Sequence, residues 1–299
     1  MRTWWSAPAA VALLVLAACG GQSPPGAATT APTSPSPSGT AAPAPTAPSP
    51  STSRATPGTP TRSSTPAPRP TPPQPGTTTA SPTSPTTALP AALRGRVLTA
   101  LPTSRRVVAL TFDGGAGSQG APSILGTLRA EGVPASFFVT GRFAQTNPGT
   151  TSQMAALGPV GNHSLSHPDF TTLTETALTS ELSTARAAIV AATGKDPRPF
   201  FRFPFGAYDP RALGLVNARG YGAIGWTTDS LGWKGTSGGM STDAVVSRVL
   251  AGRTPGQIVL MHVGANPDDG TTLDAAALPR IIAGYRANGY AFVTLDVLR

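Results

Sequence analysis

The sequence is poor in several residue types, and each scarcity narrows what the protein can be. Its 299 residues include one cysteine, Cys19, so no disulfide can form within the chain. Charged residues make up 12% of the chain and aromatic residues 6%. Residues 96–299 carry 17 basic residues and all 13 acidic residues, which leaves this part at only +4. The overall charge of +9 therefore does not indicate a nucleic-acid partner, although it suits an anionic cell-wall environment.

Histidine is also scarce, and its three positions are informative. His163 and His167 are spaced i, i+4, and His262 ends an apolar run over 258–262. A His-x-x-x-His pair can place two imidazole nitrogens on one divalent metal. A histidine at a strand end is a natural proton carrier near neutral pH. Such a pair also arises by chance, so its meaning depends on the surrounding residues.

The first 19 residues resemble an export signal. A basic start is followed by an apolar run over 9–18, which is shorter than the ~20 residues that a membrane span needs. Residues 16–20 read LAACG and resemble a bacterial lipobox. We expect cleavage before Cys19, lipidation of its thiol, and anchoring on the outer face of the cell membrane. A plain secretory signal with an incidental cysteine is the alternative.

Residues 20–95 consist almost entirely of Pro, Thr, Ser, Ala and Gly. Such a segment cannot bury enough apolar surface to offset its ordering entropy, so we expect a disordered tether. At ~3.1 Å per residue it would reach at most roughly 230 Å. This length would carry the third predicted segment, a domain over 96–299, into the cell wall.

Strand-like and helix-like segments alternate along 96–299. The predicted strands are 107–112, 135–139, 159–163, 200–203, 223–226, 258–262 and 291–295, and helix patterns lie near 124–132, 175–194, 210–218, 242–250 and 275–288. This alternation predicts an α/β fold with a parallel sheet, as an irregular (β/α)7-type barrel. A doubly wound open sheet is the second candidate.

Polar residues follow several of these predicted strands. They are Asp113, His163, Arg202 with Pro204, Asp229 and His262. Because the carboxyl ends of parallel strands share one edge, we expect these side chains to converge on one rim.

Five motifs carry a family resemblance. They are TFDGG at 111–115, HSLSH at 163–167, RFPFG at 202–206, DSLGW at 229–233 and LMH at 260–262. In this order they resemble the polysaccharide deacetylases of carbohydrate esterase family 4, the NodB-homology domain. The resemblance implies hydrolysis of acetyl groups on a sugar polymer with the help of a bound metal.

The resemblance also implies roles for individual residues. Asp113 is the expected catalytic base and His262 the acid that protonates the departing amine. Arg202 would orient Asp113 and keep it ionised. The backbone N–H of Phe205 would contact the oxyanion. His163 and His167 would bind a divalent metal, zinc first, with cobalt, nickel or manganese as alternatives, while Pro204 and Trp233 would contact substrate.

Two positions depart from the family pattern. Gly114 stands where the family usually has an aspartate as third metal ligand. Asp113, Asp169 or additional waters are the candidates to complete the metal shell, and weak metal binding is the alternative. Gly232 stands where the family often has an aspartate that tunes the acid histidine, which leaves Asp229 as the candidate for that task.

The sequence therefore predicts a monomeric, lipid-anchored N-deacetylase of cell-envelope amino sugars, with peptidoglycan as the leading substrate. Its expected partners are the N-acetylated polysaccharide and, through Cys19, the membrane. The alternatives are an O-acetyl glycan esterase and a catalytically weak glycan-binding module, the latter motivated by Gly114.

Overall fold

The computed structural model describes residues 89–299 as a parallel sheet surrounded by helices. Within this range the strands are β1 (Val97–Leu98), β2 (Val107–Gly114), β3 (Ser136–Val139), β4 (Val160–Asn162), β5 (Phe200–Phe201), β6 (Gly222–Ile224), β7 (Thr228–Asp229), β8 (Gln257–His262) and β9 (Ala291–Phe292). The α-helices are α1 (Ala121–Ala130), α2 (Gly141–Thr146), α3 (Pro148–Ala155), α4 (Glu175–Thr193), α5 (Pro210–Ala218), α6 (Thr242–Ala251) and α7 (Leu273–Ala287). Short 3₁₀ turns lie at Ala91–Leu93, Pro204–Gly206, Gly232–Lys234 and Leu295–Leu298.

All paired strands run parallel, in the order β1-β6-β5-β4-β3-β2-β8-β7, and β9 pairs with the start of β2. Just after β1, Ala100 forms an isolated antiparallel bridge with Gln257 at the start of β8. This bridge links the two sides of the sheet, so the sheet curls towards a closed barrel. The predicted (β/α)7-type barrel is confirmed. The short strands β1 and β7 and the helices α2 and α3 have no counterpart in the sequence prediction.

The alternation of side chains along the strands creates two apolar layers. Val108, Leu110 and Phe112 of β2 belong to a large cluster beneath the helices, which we call the helix-side core. Ala109 of β2 and Ile258 of β8 belong to a smaller cluster inside the curl, which we call the barrel core. Because side chains alternate with period two, Asp113 and His262 continue the inward-facing series of these strands. The strand pattern therefore delivers both side chains to the mouth of the barrel.

Packing begins before the predicted domain boundary at residue 96. Leu89 and Leu93 are buried in the barrel core, and Leu93 is the last residue of the turn Ala91–Leu93, which precedes β1. The residues Ala91–Leu93 follow a Pro- and Ala-rich segment and have a similar composition. Composition alone therefore assigns them to the tether and sets the start of the domain at residue 96. The expected signal over 1–19, its Cys19 and most of the expected tether lie outside the described residues. Within 89–299, no helix has the length and apolar character needed to cross a bilayer.

Candidate active site

A cleft of about 630 Å³ opens at the carboxyl ends of the strands. Its lining residues are Asp113, Gly115, Ala116, Thr140, Arg142, His163, Ser166, His167, Phe203, Phe205, Trp226, Asp229, Trp233, Leu260, His262, Gly264, Ala265 and Pro267. A larger cavity of about 1050 Å³ lies at the opposite ends of the strands, near Pro159 and Pro199, and no histidine lines it. The cleft therefore gathers all three histidines of the chain.

Asp113 and Arg202 form a buried ion pair at the base of the cleft. Arg202 Nη1 donates to Asp113 Oδ1 at 2.6 Å, while its Nε and Nη2 donate to the carbonyls of Ile224 and Gly225. The guanidinium is fully buried and lies 4.2 Å above the ring of Phe138. Burial alone would raise the pKa of Asp113, but Arg202 and the nearby histidines outweigh it and hold that pKa below its usual value. Asp113 is therefore ionised at neutral pH.

The two histidines of the i, i+4 pair, His163 and His167, lie beside the Asp113 carboxylate. His163 Nε2 lies 3.5 Å from Asp113 Oδ2, and its Nδ1 lies 2.9 Å from the carbonyl oxygen of Arg202. The second contact requires a proton on Nδ1 and leaves Nε2 free for a ligand. Burial lowers the pKa of His163 to about 4, so the ring is neutral. The His167 ring lies 4.8 Å from that of His163, centroid to centroid.

A tight loop holds this pair, and one acidic residue anchors it. Glu181 on α4 accepts hydrogen bonds from the backbone N–H groups of Leu165 and Ser166 and from the Ser166 hydroxyl. Ser164 and His167 both have positive φ, 67° and 64°. Such backbone conformations persist only when neighbouring contacts fix them. The sequence prediction missed Glu181, since a glutamate on an amphipathic helix carries no signal of a loop contact.

The cleft offers a metal ion two imidazoles, those of His163 and His167, but not a complete set of protein ligands. Within residues 89–299, no group of three His, Cys, Asp or Glu side chains has the arrangement of a metal site. Asp169 does not line the cleft. Its carboxylate accepts from the N–H and the hydroxyl of Thr171 instead. The histidine pair still suits a divalent ion that retains water ligands, because His163 is neutral and presents Nε2 beside a carboxylate.

Gly114 lies on the opposite face of β2 from Asp113. A Cβ at this position would meet the side chains of Val139, Val263 and Phe143 at 3.2–3.4 Å. All three belong to the helix-side core. A side chain at position 114 would therefore start in tight apolar packing, and the neighbours would have to shift by a few tenths of an ångström to admit it.

His262 lies at the end of β8 on the other side of Asp113. Burial alone would lower the pKa of His262, but the carboxylate of Asp274, together with Asp113 and Asp229, outweighs it and raises that pKa. Asp274 is buried in the first turn of α7, and its Oδ2 accepts from the backbone N–H of His262 at 2.8 Å. The sequence prediction missed Asp274, because it belongs to no motif and follows His262 by 12 residues.

Asp229 contacts the tryptophan of the cleft rather than His262. Its Oδ1 accepts from the N–H of Leu231, and its Oδ2 accepts from Trp233 Nε1 at 3.3 Å. Trp233 is 47% exposed, and its ring lies 6.5 Å from that of His262. The predicted interpretation of Trp233 as a wall of the site is therefore compatible with its position.

Phe205 and Pro204 form the opposite wall with the turn that follows β5. Phe205 is 70% exposed, has a φ of 59°, and packs edge-on against His167 at 4.5 Å. Pro204 is buried beneath it, and Trp226 packs against Gly206, where a Cβ would lie 2.7 Å from the indole. The sequence prediction did not include Trp226. Two exposed aromatic rings, Phe205 and Trp233, thus flank the polar base of the cleft.

Comparison with known proteins identifies the family. The family profile described as polysaccharide deacetylase matches residues 100–224. The chain is 33% identical over 211 residues to the peptidoglycan-N-acetylglucosamine deacetylase PgdA of Listeria monocytogenes, across 70% of this chain and 42% of that protein. The chain is also 32% identical over 196 residues to the chitooligosaccharide deacetylase of Sinorhizobium fredii, across 63% of this chain and 89% of that protein. The chain belongs to the polysaccharide deacetylases of carbohydrate esterase family 4. It spans about two fifths of the length of this Listeria deacetylase.

Solved structures of the same deacetylase family share the fold. The family 4 carbohydrate esterase PdaA of Bacillus subtilis superposes with a TM-score of 0.62 at 28% identity, over 68% of this chain and 84% of that chain. A protein of Bacillus anthracis described as a CE4 family pseudoenzyme gives the same TM-score and identity, over 69% of both chains. The fold is therefore shared by a family 4 esterase and by a pseudoenzyme of the deacetylase family.

Proposed function

We propose that this chain is a metal-dependent deacetylase of N-acetylated amino sugars in a cell-envelope polysaccharide, with peptidoglycan as the leading substrate. The observation that carries the proposal is the meeting of Asp113, His163, His167 and His262 in one cleft, with Arg202 buried behind Asp113. The similarity to the peptidoglycan-N-acetylglucosamine deacetylase PgdA of Listeria monocytogenes supports the substrate class.

Amide hydrolysis requires one group that accepts a proton and one that donates a proton, and in this proposal they lie on two sides of the cleft. Asp113, ionised and held by Arg202, accepts the proton of the attacking water. His262, whose raised pKa favours its protonated form, donates a proton to the departing amine. The N–H of Phe205 lies on the wall opposite His262 and contacts the oxyanion in this proposal.

Deacetylases of this family are generally metal-dependent. His163 and His167 would bind the ion, with zinc as the first candidate and cobalt, nickel or manganese as the others. A divalent ion would lower the pKa of a bound water and polarise the acetyl carbonyl. The buried, neutral ring of His163 supports this assignment, since a neutral imidazole is the form that binds metals.

Acetate release from N-acetylglucosamine polymers tests the proposed function. We expect the full-length protein, supplied with Zn²⁺ or Co²⁺, to release acetate, and a His262→Gln variant to lose roughly 10²–10⁴-fold in rate because it lacks the proton donor. Absence of acetate with every metal, or equal release by the variant, would contradict the proposal. Faster release from acetylated xylan than from N-acetylated polymers would favour the O-acetyl glycan esterase instead.

A glycan-binding module without strong catalysis is the second candidate. Glycine at position 114, the two-histidine site and the shared fold of a CE4 family pseudoenzyme favour it. The same samples distinguish the candidates. Binding of peptidoglycan in a sedimentation assay, with no acetate released and no micromolar metal affinity by calorimetry, would favour the binding module.

We also propose that the protein is anchored to the outer face of the cell membrane through Cys19, with its catalytic domain in the cell wall. The sequence LAACG over 16–20 and the Pro- and Thr-rich residues that follow support this location. One acyl chain binds a membrane only marginally, so stable anchoring requires more than one. In a bacterial host we expect labelled fatty acid on the wild type in the membrane fraction and an unlabelled, non-sedimenting Cys19→Ala variant. Equal sedimentation of both, without label, would contradict the anchor.

A further inference from the structure

The carboxylate of Asp274 is buried, and one of its oxygens has no hydrogen-bond partner among the described residues. Asp274 is 3% exposed and lies between the end of β8 and the turn Gly232–Lys234. Its Oδ2 accepts from the backbone N–H of His262, but its Oδ1 has no partner among the described residues. A buried carboxylate oxygen without a hydrogen bond is costly, so its retention calls for a reason.

The second unpartnered buried atom of the described residues, His262 Nδ1, faces the same carboxylate. His262 Nδ1 is buried without a hydrogen bond and lies 3.8 Å from Asp274 Oδ2. The distance exceeds a hydrogen bond by about 1 Å, and such contacts commonly tighten once a substrate is bound. The His262 side chain keeps 30% of its surface exposed in the cleft, so its other nitrogen, Nε2, is the one directed towards substrate.

Gly232 provides the space that Asp274 occupies. A Cβ on Gly232 would lie 2.6 Å from Cγ of Asp274 and closer still to Oδ1. Gly232 does not have a positive φ, so its backbone conformation does not require glycine. The absence of a side chain at position 232 is therefore explained by the carboxylate that approaches from α7.

We propose that Asp274 is the positioning residue of His262, and that Gly232 is glycine in order to admit it. The carboxylate, held by the first turn of α7, orients the imidazole with its proton on Nδ1 and Nε2 directed into the cleft. Asp274 acts through His262 and does not reach the substrate. Among the described residues no hydrogen bond or ion pair joins Asp229 to His262, and the Asp229 carboxylate instead accepts from the N–H groups of Leu231 and Trp233.

Steady-state kinetics of Asp274→Asn test the proposal, which in this arm rests on the proposed deacetylase function. The amide retains the shape and an acceptor for the His262 N–H but loses the charge that orients the ring. We expect kcat to fall roughly 10–100-fold with KM within about twofold, because the changed group does not contact substrate. Asp243→Asn, an exposed acidic residue in the first turn of α6, is the matched control and leaves both constants unchanged. A change in KM alone, or an unchanged kcat, would overturn the proposal.

Imidazole ¹⁵N spectra, recorded at a pH above the raised pKa of His262 so that its ring is neutral, give a readout that does not need activity. The full-length protein has three histidines, so substitution of each histidine in turn assigns the signals of its ring. We expect Asp274→Asn to move the His262 signals towards the Nε2-protonated tautomer while those of His163 and His167 stay in place. Unmoved His262 signals would refute the positioning role even if acetate release were absent, which separates this failure from that of the proposed function.

Two variants at position 232 complete the test. Gly232→Ala leaves Asp274 chemically intact but places a Cβ where its carboxylate lies, so we expect it to reduce kcat as Asp274→Asn does. The double variant Gly232→Asp with Asp274→Ala moves the carboxylate to the other side of the same space. We expect it to be more active than Asp274→Ala alone. Equal activity of the two would show that the carboxylate is not what His262 requires.

Discussion

Replacing Arg202 with methionine is expected to cost about 3–5 kcal/mol of unfolding free energy. Methionine fills part of the volume between Phe138 and Trp226, but it leaves the buried carboxylate of Asp113 without its partner. The carbonyls of Ile224 and Gly225 lose their donors as well. For a domain of about 200 residues this loss corresponds to a fall in Tm of roughly 6–20 °C, measurable by calorimetry or thermal circular dichroism.

A surface ion pair supplies the matched control for this substitution. Arg280 pairs with Asp243, and both side chains are more than half exposed. Arg280→Met is therefore expected to cost no more than about 1 kcal/mol. The double variant Arg202→Met with Asp113→Asn should recover part of the loss, because it removes the unpaired charge. A cost for Arg202→Met no larger than that of the surface control would show that the buried pair does not support the fold.

The pH dependence of this pair follows from the direction of the Asp113 shift. Its pKa in the folded protein lies below the ordinary value of 3.8. The pair therefore contributes its full stabilisation above that value, and the contribution is lost as the pH falls through the folded pKa. At neutral pH the Arg202 and Asp113 side chains are both charged, which is the state assumed for the substitutions above.

Much of the candidate site follows from strand periodicity in the sequence. Asp113 and His262 end long apolar strands, and the parallel arrangement brings such ends to one edge. The alternation of side chains then determines which residues face inward: Asp113 continues the series of Ala109, whereas Gly114 faces the helix-side core. Periodicity could therefore place the side chains at one mouth, while their chemical roles stay predictions.

The rest depends on contacts that no local pattern records. Asp274 reaches His262 from the first turn of α7, and Glu181 reaches the loop between the two histidines from α4. Each is a single acidic residue on a helix, and such residues are usually exposed to solvent, so the sequence gives no sign of these contacts. The strands β1 and β7 were missed because two residues are too few for an alternation to appear. The helix α3 was missed because its sequence, rich in small and polar residues, has only a weak apolar face.

The same contacts explain how one cleft can hold an ionised carboxylate beside an imidazole whose pKa is raised. Arg202 holds the carboxylate on one side in its ionised form, and Asp274 favours the protonated form of the imidazole on the other. Asp113 and His262 are paired neighbours on adjacent strands, so the two environments act across a single strand spacing. Pairs of titratable groups driven to opposite charge states are typical of general acid–base catalysis.

Asp113→Asn is expected to reduce kcat for acetate release by roughly 10²–10⁴-fold, as large an effect as that expected for His262→Gln. Asparagine keeps the shape of the side chain and an oxygen for Arg202 Nη1, but it cannot accept a proton from water at neutral pH. Asp296→Asn is the matched control. Its carboxylate lies at the opposite ends of the strands, about half exposed, so its kcat should stay within twofold of the wild type. Because His163 keeps its contact to the Arg202 carbonyl in the Asp113 variant, metal affinity measured by calorimetry is expected to fall far less than kcat. A variant that retains a tenth of the wild-type kcat would rule out Asp113 as the base. A parallel loss of metal binding and kcat would instead identify Asp113 as the third ligand that Gly114 does not provide.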